Sequence, residues 1–152
     1  MKKKGEKSFH TGTVKKSLII KASKQNVWRK ISNIVGLSWL IDVKKTVYLS
    51  KKKHGVGAIR KITFNDGNTI EEHVVAWKNG EYFTYIATEG LPLRAYVATI
   101  SIKPKSKNLV QLNWESYINS QKMTENEFLE FLVFMGTFYE TSMENLKNAL
   151  EK

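Results

Sequence analysis

The stretch AIRKITFNDGNTIEEHV, residues 58–74, places two charged side chains among isoleucines and valines on either side of a turn. Arg60 precedes the turn and Glu72 follows it. If both face inward, pairing relieves part of the cost of burying each charge. Such a pair also places a polar anchor in an apolar chamber, which is the usual composition of a ligand pocket. A water-reached ion pair at the sheet edge is the alternative.

The turn decides which way these charges point, and two turns could close the hairpin at residues 65–68. A two-residue type I′ loop would set Arg60 opposite His73. A three-residue loop with Gly67 in the left-handed region forms a G1 bulge and sets Arg60 opposite Glu72. Only the second register gives the hairpin one apolar and one polar face. We predict the bulge, and the inward face then carries Ala58, Arg60, Ile62, Ile70, Glu72 and Val74.

Hydrophobic periodicity predicts the elements that position this hairpin. Residues 13–21 alternate as a strand, and Ser23 then caps a short helix at about 24–34. Gly36 and the segment LSWLIDV that follows it predict a second short helical piece, with Trp39 closing one end of the core. Six further strands, separated by turn signals, are predicted at about 43–50, 55–64, 69–78, 82–89, 95–104 and 109–119.

The last predicted element is a long helix at about 125–150. Thr124 and Glu127 form a capping box, and apolar residues recur down one side at helical spacing. The chain is therefore expected to be α+β: a seven-stranded curved antiparallel sheet wrapped around a long C-terminal helix, with two short N-terminal helices. We expect a disordered basic tail at 1–12 and one domain at 13–152.

Composition and charge exclude several classes of protein. The chain has no cysteine, which excludes disulfides and thiolate chemistry, and no apolar run long enough for a membrane span or a secretory signal. We therefore expect a cytoplasmic protein. The net charge of +11 comes mainly from scattered lysines. Arginine forks for specific recognition are scarce, so a solvated surface is favoured over a specific nucleic-acid site. Weak contact with an anionic surface is the open alternative.

The sequence contains few motifs that are typical of enzymes. The glycines of HGVGAIR lack the third glycine of a dinucleotide loop. His10, His54 and His73 do not have metal-ligand spacing, and no G-x-S-x-G nucleophile elbow is present. We therefore predict no catalytic set, no metal and no cofactor.

Three stretches resemble the START-like (SRPBCC) superfamily and, within it, the polyketide cyclase/dehydrase and lipid-transport family. They are VGAIRKITFNDGNTIEEHVVAW, FTYIATEGLPLRAYVATISIKP and VQLNWESY, and the resemblance runs from about Val14 to Leu150. It implies a helix-grip fold whose sheet and long helix enclose a cavity for a hydrophobic or amphipathic small molecule. It would place Arg60, Glu72 and Tyr96 toward that cavity, together with Trp114. Members include carriers and cyclases, so the family alone does not fix the chemistry.

We expect the cavity to bind or carry a lipid- or polyketide-like molecule. The alternative is a cyclase or dehydratase using Arg60, Glu72 and Tyr96 as its polar groups. Leu91, Pro92 and Leu93 are predicted to gate the mouth, although ordinary packing of this loop and of the aromatic residues stays open. The predicted ligand-binding residues are Arg60, Ile62, Glu72, Val74, Tyr85, Leu91, Pro92, Tyr96, Ala98, Trp114, Phe131, Met135 and Phe138.

Overall fold

The computed structural model describes residues 5–152, in which seven strands and two helices form the domain. The strands make one antiparallel sheet in the order β1-β7-β6-β5-β4-β3-β2. This confirms the expected α+β helix-grip architecture, a curved sheet with a long C-terminal helix. The elements are β1 (Thr11–Ile20), α1 (Lys24–Ile31), β2 (Val43–Tyr48), β3 (Ile59–Phe64), β4 (Thr69–Lys78), β5 (Tyr82–Glu89), β6 (Leu93–Ser106), β7 (Leu109–Ser120) and α2 (Glu125–Leu150).

Helix α2 has the predicted bounds and the predicted start. The Thr124 side chain accepts from the Glu127 backbone N–H, and the Glu127 carboxylate accepts from the Thr124 N–H at 2.8 Å. Its 26 residues span about 39 Å, enough to cross the whole sheet. The helix lies close to β1, where a Cβ on Gly12 would come within 3.1 Å of the Phe128 ring. The hydrophobic core lies between the sheet and this helix.

The hairpin between β3 and β4 has the predicted bulged register. Arg60 pairs with Glu72 and Ile62 with Ile70. The Gly67 N–H donates to the Phe64 carbonyl at 2.9 Å, and Gly67 has a φ of +90°, a conformation that glycine adopts without strain. The type I′ alternative is therefore wrong, and Arg60 and Glu72 face the interior.

The second short helix predicted near the N-terminus is wrong. Helix α1 ends at Ile31, and residues 32–42 form turns. The Gly36 N–H donates to the backbone carbonyl of Asn33 at 3.0 Å and approaches its side-chain Oδ1 at 3.1 Å. Such side-chain bonds compete with the helical pattern. Asp42 has a φ of +60°, which also ends helical geometry at this point.

Several strand bounds differ from the prediction by one to four residues. Strand β3 begins at Ile59 rather than at residue 55, because Gly55 and Gly57 turn the chain with φ of +81° and +96°. Strand β1 begins at Thr11, inside the predicted tail, and Ser8 forms an antiparallel bridge with Met123. The tail prediction thus extends too far toward β1. Its first four residues, 1–4, lie outside the described residues.

Candidate functional site

A cavity of about 640 Å³ lies between the sheet and α2. Its volume is within the range of about 300–1,000 Å³ that is usual for small-molecule pockets. Inner-face residues of β3 to β7, the turns at 37–42 and one side of α2 form its walls. Eleven predicted residues line it: Arg60, Ile62, Glu72, Tyr85, Leu91, Pro92, Tyr96, Trp114, Phe131, Met135 and Phe138.

Two predicted residues, Val74 and Ala98, do not line the cavity. Both are buried on the inner face of the sheet. Each is a direct cross-strand partner of Tyr85, which stands between them. Of these three neighbours, Tyr85 alone lines the cavity.

The Arg60–Glu72 pair is an inward ion pair with close geometry. Arg60 Nε donates to Glu72 Oε1 at 2.9 Å, and Nη2 lies 2.8 Å from the same oxygen. Arg60 Nη1 donates to the Ile34 carbonyl at 2.8 Å, which fixes the guanidinium from a second side. Only 5% of Arg60 and 6% of Glu72 is exposed, so the edge-of-sheet alternative is wrong.

Burial and pairing act in opposite directions on the Glu72 carboxyl. Burial raises the pKa of Glu72, and the Arg60 charge and hydrogen bond lower it by less. The cause is desolvation, which disfavours the ionised carboxylate. Arg60 therefore compensates only part of the cost of holding this charge inside the protein.

Phenol hydroxyls form the second polar feature of the site. Trp114 Nε1 donates to the Tyr85 hydroxyl at 3.1 Å, and the Tyr96 and Tyr139 hydroxyls share a hydrogen bond. Burial raises the pKa of Tyr85, Tyr96 and Tyr139 well above the usual value for tyrosine. All three phenols are therefore neutral donors and acceptors across the physiological pH range.

The Arg60 guanidinium also contacts an aromatic ring. Its central carbon lies 5.0 Å from the centroid of the Tyr85 ring, which is within cation–π distance. The Tyr85 and Tyr96 rings lie 6.1 Å apart. The ion pair therefore lies next to the rings of Tyr85 and Tyr96 on the cavity wall.

Sequence reasoning missed part of the aromatic wall. Trp39, predicted only to close the core, also lines the cavity and packs edge-on against Trp114 at 5.8 Å. Phe83 also lines it, but both faces of YFTYI are apolar, so the sequence leaves its direction ambiguous. Tyr139 lies behind the wall, stacked on Trp114 at 3.9 Å. Further lining residues that were not predicted are Ile31, Leu37, Leu40, Ile41, Phe64, Ile70, Ile100 and Phe134.

The cavity opens toward two hairpin loops. Asn65, Asp66 and Asn68 of the β3–β4 loop line this end and are exposed, as is Asp42. The β5–β6 loop contributes Gly90, Leu91 and Pro92. Leu93 of the predicted gate begins β6 and does not line the cavity. The gating role of Leu91 and Pro92 stays a prediction.

Gly90 allows the β5–β6 loop to lie close against the sheet. It has a φ of +98°, and a Cβ there would lie 1.9 Å from the Thr69 carbonyl oxygen. Only glycine permits this close approach of two backbone segments. The β5–β6 loop is therefore held against the start of β4 at the cavity mouth.

Metal-ligand groups and membrane-spanning helices are both missing from the part of the chain that the structure describes. Across residues 5–152, no three His, Cys, Asp or Glu side chains group in a way that could hold a metal ion. Neither helix in that range is long and apolar enough to cross a bilayer.

Comparisons with solved structures place this geometry among known folds. An uncharacterised protein of Bacillus thuringiensis aligns with a TM-score of 0.79 and 21% identity, over 93% of this chain and 100% of that one. The Zhui aromatase/cyclase of Streptomyces sp. R1128 aligns with a TM-score of 0.77 and 14% identity, over 93% and 94%. A START superfamily protein of Mycobacterium smegmatis gives 0.74 and 13%, over 91% and 97%. At these identities the likeness establishes the fold.

Sequence comparison gives the family. No curated protein sequence matches the chain. The family model described as polyketide cyclase / dehydrase and lipid transport matches residues 11–151, nearly the whole chain. This match agrees with the START-like (SRPBCC) resemblance of the sequence and with the helix-grip fold. The chain therefore belongs to the polyketide cyclase/dehydrase and lipid-transport family.

Proposed function

We propose that the protein binds, and holds or carries, a hydrophobic or amphipathic small molecule of lipid- or polyketide-like character. The observation that carries this proposal is the 640 Å³ cavity, whose apolar and aromatic walls surround a buried Arg60–Glu72 pair. A tightly packed core has few voids larger than a water molecule, so a space of this size favours a ligand. A few fixed polar groups in an apolar pocket are what orients such a ligand.

The arrangement suits an amphipathic molecule. Arg60 precedes Phe64, at the loop end of β3, by four residues, which places the ion pair about 13 Å from the mouth. The side chains between the two ends are mostly apolar, including Ile62, Met135 and Phe138. A ligand would enter past the two hairpin loops, bury its apolar body against these walls and present its polar group to the inner end.

Extraction of the purified protein tests the proposal. Organic-solvent extraction followed by mass spectrometry should recover a molecule in near-stoichiometric amount. Met135→Trp fills the cavity from α2 and should lower its occupancy by about tenfold or more. Val133→Trp adds the same ring to the exposed face of α2 and should leave the occupancy unchanged.

Control measurements keep the extraction decisive. A melting curve establishes that both variants are folded before extraction. If Met135→Trp is unfolded, Ile62→Phe fills the same cavity from β3. Equal recovery from a folded cavity-filling variant and Val133→Trp would show that the molecule binds elsewhere, and the proposal would be wrong.

A cyclase or dehydratase stays the second candidate, supported by the shared Tyr96–Tyr139 hydrogen bond and the raised pKa of Glu72. Perturbed groups in a cavity are candidates for acid–base work. The two functions differ in turnover. A panel of linear poly-β-ketone substrates should bind without forming product if the protein is a carrier. Product formation that Tyr96→Phe abolishes would favour the enzyme.

A further inference from the structure

We propose that the cavity selects uncharged ligands bearing a hydroxyl or carbonyl group and discriminates against carboxylates and other ionic amphiphiles. This inference rests on the proposed function and specifies its ligand class. Its central observation is that the cation lining the cavity already has its counter-ion.

Most of the hydrogen-bonding groups of Arg60, and its charge, are already engaged and are not free to bind an anionic ligand. Nε and Nη2 both point at Glu72 Oε1, within 2.9 and 2.8 Å, and Nη1 donates to the Ile34 carbonyl. The Tyr85 ring contacts the guanidinium as well. A carboxylate entering here would have to displace Glu72 or remain beside a second carboxylate. A neutral acceptor faces no such repulsion and can use an N–H that Glu72 does not occupy.

The charges lining the cavity contrast with those of the whole chain. The chain carries a net charge of +11, yet among the described residues Arg60 is the one Lys or Arg that lines the cavity. Three carboxylates line it as well, Glu72 inside and Asp42 and Asp66 at the mouth, which gives a formal balance of −2. The lysine-rich surface attracts anions, but the cavity does not.

The remaining polar groups of the inner chamber are neutral. Tyr85 and Tyr96 line the cavity, and their hydroxyls, one bonded to Trp114 and the other to Tyr139, each keep capacity for a further hydrogen bond. An ion of either sign would leave water for an inner chamber whose two charges, Arg60 and Glu72, are already paired with each other, which is costly. A neutral hydroxyl or carbonyl loses far less on desolvation and finds these partners. The geometry therefore favours neutral ligands over both anions and cations.

Matched amphiphiles test this selectivity. Isothermal titration at pH 7.5 with dodecan-1-ol, dodecanoate and dodecylammonium compares one apolar chain with three head groups. The pair 2-naphthol and 2-naphthoate repeats the neutral–anion comparison on a planar ring. The neutral member of each set should bind tighter by about tenfold or more. Equal or tighter binding of either ion would overturn the inference.

The outcome separates this inference from the proposed function. Binding of both neutral and ionic probes, with no preference, would leave a ligand-binding cavity and refute only its selectivity. If no probe of either set binds and extraction recovers no molecule, the proposed function itself fails and the inference fails with it.

A charge-matched pair of variants tests whether the Glu72 carboxylate causes the preference for neutral ligands. Glu72→Gln keeps a hydrogen-bond acceptor for Arg60 but removes the counter-ion, so dodecanoate should gain about tenfold in affinity relative to dodecan-1-ol. Glu71→Gln removes the same charge from the neighbouring position, which does not line the cavity, and should leave this ratio unchanged. Equal shifts in both variants would show that overall charge sets the preference, against the inference. If Glu72→Gln does not fold, the wild-type comparison still decides.

Discussion

Removing Arg60 should be among the most damaging single changes to this fold. Arg60→Met leaves Glu72 buried without either of its N–H donors, and leaves the Ile34 carbonyl without its partner. Breaking a buried ion pair from one side costs about 3–5 kcal/mol, because the remaining charge is uncompensated. For a domain of this size, that loss lowers the Tm by at least about 6 °C. Lys61→Met, one residue along on the exposed outer face, should change stability by less than about 1 kcal/mol.

The pH dependence and a double variant sharpen this prediction. Burial already raises the pKa of Glu72, and loss of Arg60 removes the interaction that opposes the increase. Protonation at lower pH then relieves the stranded charge, so the cost of Arg60→Met should shrink as the pH falls from 7.5 toward 5. Arg60→Met combined with Glu72→Leu removes both charges and should recover most of the stability.

Denaturant midpoints with unchanged slopes provide the measurement. Equal and small effects of Arg60→Met and Lys61→Met would refute the buried pair. A double variant as unstable as Arg60→Met alone would show that packing, rather than the stranded charge, causes the loss.

Gly90→Ala should destabilise the protein more than Gly67→Ala: both glycines have positive φ, but only at Gly90 would the added Cβ meet backbone, the Thr69 carbonyl, and melting curves compare the two variants. Because the folded-state pKa of Glu72 is raised above 4.5, its stabilising contribution is present below about that pH and is lost as the pH rises through the folded-state value. Wild type should therefore lose stability relative to Glu72→Gln as the pH rises above 4.5, and a constant difference in their free energies of unfolding would contradict this sign. Binding of DNA should be weak at low salt and fall steeply as salt rises, and replacement of Lys51, Lys52 and Lys53 by Gln should weaken it further; salt-resistant, sequence-specific binding in a gel-shift titration would contradict this.

Local turn and cap chemistry made the hairpin and the long helix predictable. The sequence NDGN admits two turns, and the apolar pattern of the flanking strands permits only one of their registers. That register alone is enough to place Arg60 and Glu72 opposite each other on the inner face. Thr124 and Glu127 mark the start of α2 by a reciprocal pair of hydrogen bonds that needs no tertiary information.

The sequence could not predict which residues of the inner face line the cavity. Alternation identifies the side of the sheet to which a residue points, but not whether it reaches the cavity. Val74 and Ala98 share the inner face with Tyr85, but only Tyr85 of the three lines the cavity. The second short helix was predicted wrongly for a related reason. The segment at 32–42 lacks regular periodicity, so its sequence does not show that it forms turns that place Trp39 against Trp114.

The contacts of Tyr139 on α2 could not be predicted from the sequence either. Its position on the inward stripe of α2 is typical of core packing, and nothing local distinguishes it from Phe138. Its importance comes from Tyr96 and Trp114, which reach it from distant strands. Contacts between residues so far apart in the sequence depend on how the sheet curves around the helix, and local patterns do not encode that curvature.

The most direct test of the ligand-binding account is a high-resolution crystal structure of the protein as purified, without delipidation or added ligand. If the cavity binds a ligand, we expect continuous non-protein density in it, packed against Trp114 and Phe138, with its polar end near Arg60 and Tyr96. An interior in which these side chains have moved together to form a solid core, with no space for a ligand, would contradict it.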